Sequence, residues 1–355
     1  MGRKRFLAPW KDSAGKPAIY HCISRVVDRR FVFGDEERER FRTCMRMQEN
    51  FSGCRVLSYC VMSNHVHVLL EVPPVPEGGI TDEVLLKRLS AIYPEAFVAG
   101  VVKEIAEARA AGNEALVEEI HGRFTYRMHN LSEFMKTLLQ RFTRWFNRTH
   151  ERRGTLWEER YKSVIVESGV AARTMAAYID LNPVRAGMVA DPAEYRWSSY
   201  GEAVGGGKKG NGKKAREGLV RACMSHEGRG FEAEKWKEVS RIYRRAMGLA
   251  LGRKSGSAEV EKGMARPQMN TAEALVADGN GTVLPDLGMA AMLRCRVRYF
   301  TDGAVIGSKG FVNEAFAGAR ERFTANRKDG ARKMRGSGAP AAGELWSLRD
   351  LRVRI

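Results

Sequence analysis

The chain has 355 residues, 44% of them apolar, which is enough for an enzyme core with additions. Sixty Lys and Arg against 42 Asp and Glu give a formal charge of +18, a field that draws polyanions and makes nucleic acid the default partner. No apolar run reaches the roughly 20 residues of a spanning helix, the start lacks the apolar stretch of a secretory signal, and six cysteines form no C-x-x-C pair, which excludes a zinc ribbon or redox motif and fits a reducing compartment.

In chain order, the basic start reads as a phosphate-contacting arm, and residues 17–24 as a first strand. Residues 35–50 read as a helix with Asp35 as N-cap and Phe41, Cys44, Met45 and Gln48 on one face, ended by Gly53. Residues 55–62 and 65–72 read as a hairpin across a two-residue turn, Ser63-Asn64. A Pro- and Gly-rich run then opens an insertion over about 73–129, with one or two amphipathic helices at 81–123.

Asn130 to Glu133 has the spacing of a capping box and starts a long helix. Leu131, Phe134, Leu138, Phe142 and Trp145 form its apolar stripe; Lys136, Gln140, Arg144 and Arg148 form a polar stripe, four residues apart. That stripe is either a solvated surface or a contact to a nucleic-acid backbone. Residues 154–167 read as a loop and strand, and 170–181 as a helix closed by Asn182-Pro183. Residues 201–216 read as a basic Gly/Lys linker. Residues 217–355 read as a C-terminal extension with Ser308 as the N-cap of a helix through Phe316 and a loose stretch at 326–345.

Two spacings carry chemistry. On a strand, His65 and His67 share one face and Val66, Val68 and Leu70 the other. With the valines in the core, the imidazoles look outward or onto a ligand, and two so placed can bind one divalent metal; by itself such a pair is more often two polar residues on the wet side of a half-buried strand. Tyr178 and Asn182 are i and i+4 on one helix, which sets an amide near a phenol; alone, this is an ordinary helix end. Together they supply a nucleophile and a Lewis acid for phosphodiester cleavage.

Taken with the first strand ending in Ser24-Arg25, the segments SYCVMSNHVHVLLE, GTLWEERYKS, AAYIDLNPVRAGMV and PAEYRWSSY give the chain a resemblance to the single-tyrosine HUH transposases, in particular the REP-associated tyrosine transposases, over about residues 15–200. The resemblance implies an α+β fold: a ferredoxin-like antiparallel sheet with helices on one face, in a catalytic domain over 1–200. It implies Tyr178 as nucleophile, His65, His67 and Asn182 as ligands of Mg2+ or Mn2+, and Arg25, Arg160 and Lys162 as DNA contacts; Lys136, Arg144 and Arg148 join these as candidate DNA contacts from the helical stripe, not from the resemblance. The implied activity is cleavage and rejoining of single-stranded or hairpin DNA through a 5′-phosphotyrosine, in the cytoplasm at the nucleoid, by a monomer or homodimer and with no membrane partner. Two other readings stand beside it: a domesticated protein that binds chromosomal repeat hairpins without mobilising them, and a general RNA-binding protein. The insertion and the extension depart from the compact family pattern.

Overall fold

The computed structural model describes residues 6–13, 15–205, 212–224, 233–250, 293, 298–334 and 344–349. The first five residues of the basic arm, Cys295, and the central part of the expected linker lie outside them.

The core runs β1 (Ala18–Arg25), α1 (Asp35–Ser52), β2 (Arg55–Val61), β3 (His65–Val72), α5 (Leu131–Thr149) and β4 (Lys162–Val166), with the insertion helices α2 (Asp82–Leu89), α3 (Glu95–Ala110) and α4 (Glu114–Thr125) between β3 and α5. The strands stand in the order β2-β3-β1-β4, each antiparallel to its neighbour. This is the ferredoxin-like arrangement expected from the motifs.

Local chemistry sets the boundaries. Gly34, not Asp35, is the N-cap of α1: its N–H donates to Glu37 Oε2 at 2.7 Å, so Asp35 becomes the first helical residue. Gly53 ends α1 with φ of 73°, a left-handed turn that only glycine adopts without cost. Met62 N–H donates to His65 O at 2.9 Å and closes the β2–β3 hairpin. Asn130 Oδ1 accepts from the N–H groups of Ser132 and Glu133 at 2.8 and 3.1 Å and starts α5. The insertion holds three helices rather than one or two. They bury Leu85, Leu89, Val101, Ile105, Ile120 and Phe124 against Phe51 of α1, a small core of their own.

The rest of the chain thickens and widens this core. After β4 come α6 (Val170–Asp180) and the short α7 (Asn182–Arg185). As the sequence suggested, α6 ends just before Asn182-Pro183, with Leu181 as its C-cap; Pro183 then sits in the first turn of the separate α7, where its missing N–H costs nothing. Then follow α8 (Ser199–Gly205), α9 (Lys213–Cys223) and α10 (Ala233–Ala250), so helices take up both ends of the stretch expected to be linker. A short helix α11 (Arg298–Thr301) leads into β5 (Gly303–Gly307), which pairs in parallel with β4. Ser308 caps α12 (Lys309–Ala317) as expected, its Oγ accepting from Phe311 N–H at 3.2 Å. Two more strands, β6 (Arg332–Lys333) and β7 (Trp346–Arg349), fall in or beside the stretch expected to be loose and complete a seven-stranded sheet, β2-β3-β1-β4-β5-β7-β6.

Helices cover both faces of the core sheet rather than one. On the valine side α1 packs on β2 and on α5, with Phe41 and Phe142 edge to face at 5.2 Å. On the histidine side α6 packs across β2 and β3, and α9 lies on β2 beside it, its Arg221 held by buried Glu71 of β3. The histidine side, read as looking outward or onto a ligand, is therefore not a solvated face but an interior, because the tyrosine helix and the extension pack on it.

Candidate active site

Strand register builds the site. Across β1 and β3, His65 stands opposite Arg25, His67 opposite Ile23, and Leu69 opposite His21. Opposite residues point to one face, so Arg25, His21, His65 and His67 share it. Lys162 of β4 stands opposite Ile23 and extends the same row. Helix α6 lowers Tyr178 onto this face: its ring lies 6.2 Å from His67 and 6.2 Å from His21, centre to centre. The rings of His65 and His67 are 4.9 Å apart.

The hydrogen bonds fix which nitrogens are offered. Asn64 Nδ2 donates to Arg29 O at 2.9 Å, so Asn64 Oδ1 is the atom that faces His65 Nδ1 at 2.7 Å. An amide oxygen only accepts. His65 therefore carries its proton on Nδ1 and presents the lone pair of Nε2. His67 Nδ1 lies 2.9 Å from His21 Nε2, which leaves His67 Nε2 open as well. Ligating histidines commonly have the other nitrogen held in this way. The two open Nε2 atoms fit a divalent metal as ligands.

Burial keeps these rings neutral, the form that ligates. It pushes His21 and His65 down to about 4, with Arg25 adding to the effect at His65. His67 falls well below its ordinary value, first by burial and then by the charges of His65, His21 and Arg25. Tyr178 is 2% exposed, and burial pushes its hydroxyl up to about 12. Arg185 and Arg25 pull the other way, while Asp302 adds to the rise.

The expected residues divide into four groups. His65, His67, Tyr178, Arg25 and Lys162 gather at or beside the histidine face. Asn182, the first residue of α7, is turned back onto the end of α6: its amide nitrogen donates to Tyr178 O and Ile179 O at 3.1 and 3.2 Å. Its oxygen is left as an acceptor beside the start of α7, and no contact joins it to the histidines among the described residues. Lys136, Arg144 and Arg148 lie elsewhere, on the outer side of α5. There they line a groove of about 440 Å³ with Arg40, Arg141 and Trp145. Arg160 is exposed in the loop before β4. Among the described residues, no three His, Cys, Asp or Glu side chains are arranged to hold a metal.

Three residues escaped sequence reasoning. His21 sits two positions before Ile23 and four before Arg25, but its face is known only once β1 is placed against β3. Arg185 lies with its guanidinium 5.2 Å over the Tyr178 ring and donates to Leu293 O at 2.9 Å; its spacing of seven from Tyr178 was a usable signal, masked by the intervening proline. Phe300 stacks on Tyr178 at 4.5 Å, with 13° between the planes. No local pattern marks that contact.

The family described as IS200-like transposase matches residues 16–77. That segment takes in β1, α1, the β2–β3 hairpin and both His65 and His67, so the resemblance drawn from the motifs holds at the level of the IS200-like transposases. A solved structure, that of a REP-associated tyrosine transposase bound to a REP hairpin, is similar at 11% identity and a TM-score of 0.36, covering 66% of this chain and 95% of that one. No curated protein matches the chain. No helix among the described residues is long and apolar enough to cross a membrane.

Proposed function

We propose that this protein is a metal-dependent single-strand DNA endonuclease and strand transferase of the transposase type, acting on hairpin or repeat DNA. The observation that carries the reading is convergence: two open imidazole nitrogens from one hairpin and a phenol from a distant helix meet on one face of the sheet. The match to the IS200-like transposases over the histidine segment supports it.

Tyr178 Oη attacks a backbone phosphorus. The P–O3′ bond breaks, the tyrosine proton passes to solvent, and O3′ leaves as a hydroxyl once solvent returns a proton. The 5′ phosphate stays on Tyr178. Because the phosphotyrosine keeps the energy of the broken bond, a later 3′ hydroxyl rejoins the strand without a nucleotide cofactor. His65 and His67 would hold Mg2+ or Mn2+, which acts as a Lewis acid toward the phosphate oxygens. Asn182 offers its amide oxygen as a third ligand after a side-chain rotation. Arg185 and Arg25 favour the phenolate and the phosphate that approaches it. Lys162 and Arg160 steady the backbone on the β4 side.

One observation favours a second reading, a domesticated binder of repeat hairpins without chemistry. With 2% of it exposed and Phe300 stacked on its ring, Tyr178 meets a phosphate only after a local rearrangement. An assay with a hairpin-bearing oligonucleotide and Mn2+ separates the two. The transferase reading expects a covalent protein–DNA band, lost in Tyr178→Phe and reduced at least a hundredfold in His67→Ala. Tight binding with no band in the wild type supports the binder.

A further inference from the structure

We propose that His21 is a positioning residue for the metal site, and that the C-terminal extension anchors it through the main chain of Phe300. The inference rests on the metal-site reading of His65 and His67 and assigns a role that the histidine pair itself does not contain.

His21 is fully buried on β1, between the strand that carries the metal histidines and the strand that joins the extension. Both of its nitrogens are engaged. Nδ1 lies 2.8 Å from Phe300 O, and Nε2 lies 2.9 Å from His67 Nδ1. A carbonyl oxygen accepts and cannot donate. The proton of the neutral His21 ring must therefore sit on Nδ1, which makes Nε2 an acceptor. His67 must then donate from Nδ1, and its lone pair falls on Nε2, the atom left open to the metal. A chain of fixed polarity runs from the carbonyl through His21 to His67.

Replacing His21 by an apolar side chain removes the acceptor. His67 is then free to rotate or to move its proton to Nε2, and a protonated Nε2 cannot ligate. The anchor is not local. Phe300 belongs to α11, next to β5, which pairs with β4. The same residue supports Tyr178 with its ring and His67, by way of His21, with its carbonyl. The extension thus joins nucleophile and ligand through one residue.

Two measurements test this without relying on cleavage. In 15N-histidine spectra of the metal-free wild type near pH 7.5, His21 and His67 are both expected as Nδ1–H tautomers. An Nε2–H form at His67 overturns the proposal, and it does so whether or not the protein cuts DNA. In the second, binding of Mn2+ is followed by loss of the free-ion electron-spin-resonance signal. His21→Phe is expected to weaken Mn2+ binding by about tenfold to a hundredfold. His21→Gln, whose amide supplies one donor and one acceptor, is expected to stay within about threefold of wild type. Equal affinity in His21→Phe and wild type overturns the proposal, as does equal loss in both variants when their melting temperatures match wild type. Failure of the wild type to bind Mn2+ at all would instead count against the metal-site reading, with the tautomers still decided by the spectra. If His21→Phe does not fold, the wild-type spectra and His21→Gln still decide the question.

Discussion

Each imidazole at the centre of this site is held by one nitrogen and open, or engaged, at the other, and burial keeps all three uncharged. That has a cost in acid. In the unfolded chain these rings protonate near 6.5; in the folded protein His21 and His65 do so only near 4, and His67 well below its ordinary value. Between those limits the unfolded state binds more protons, so stability falls as pH drops from 6.5 toward 4. Asp180 has the opposite sign: burial pushes its carboxyl up to about 7, so it takes up a proton first in the folded state. Three groups outweigh one. His21 alone is worth about 2 kcal/mol by pH 5. The urea midpoint is expected to fall clearly between pH 7 and pH 5, and a flat profile would show that the rings are not buried neutral. His65, His67 and Tyr178 were legible in the sequence because strand and helix periods place side chains without tertiary information. His21, Phe300 and Arg185 were not, because each acts through register or long-range contact.

At the scale of elements, the hairpin, the capped start of α5 and the Ser308 cap were readable, since each is set by residues within a few positions. The α5 stripe was readable too: Lys136, Gln140, Arg144 and Arg148 are all exposed, and the apolar set is buried except for half-buried Trp145. What the helix alone could not disclose is its setting. Arg40 of α1 comes to Trp145, with its guanidinium 5.7 Å from the ring, and turns a stripe into a groove with cationic and aromatic walls. Arg40, Arg144 and Arg148 have no carboxylate partner among the described residues. Such a lining suits a single strand, which needs charge for phosphates and a flat ring for bases. Arg144→Glu combined with Arg148→Glu is expected to weaken single-strand binding about tenfold at low salt and to flatten its salt dependence, leaving Mn2+ binding as it was. Unchanged affinity would return the stripe to ordinary solvated surface. The parallel pairing of β5 with β4 had no signal at this scale, because its partners are separated by several helices and share no local pattern.

Taken whole, the molecule is one widened sheet with helices on both faces, and its extension is part of the sheet and of the packing around the candidate site. A reading based on local periods naturally treats such an extension as an appendage, since the long-range contact that joins it to the centre leaves no period behind. The excess of positive charge belongs to this scale as well, as a field that gathers a polyanion before any contact forms. The central claim, that one phenol beside two metal-binding imidazoles performs strand transfer, is tested most directly by mapping the covalent product. The protein is incubated with Mn2+ and a hairpin oligonucleotide, digested, and the nucleotide-bearing peptide sequenced by mass spectrometry. The account predicts a single modified peptide containing Tyr178, joined to the 5′ phosphate of the downstream fragment, with a free 3′ hydroxyl on the other. Attachment at another residue, or cleavage that leaves no attached nucleotide, would contradict it.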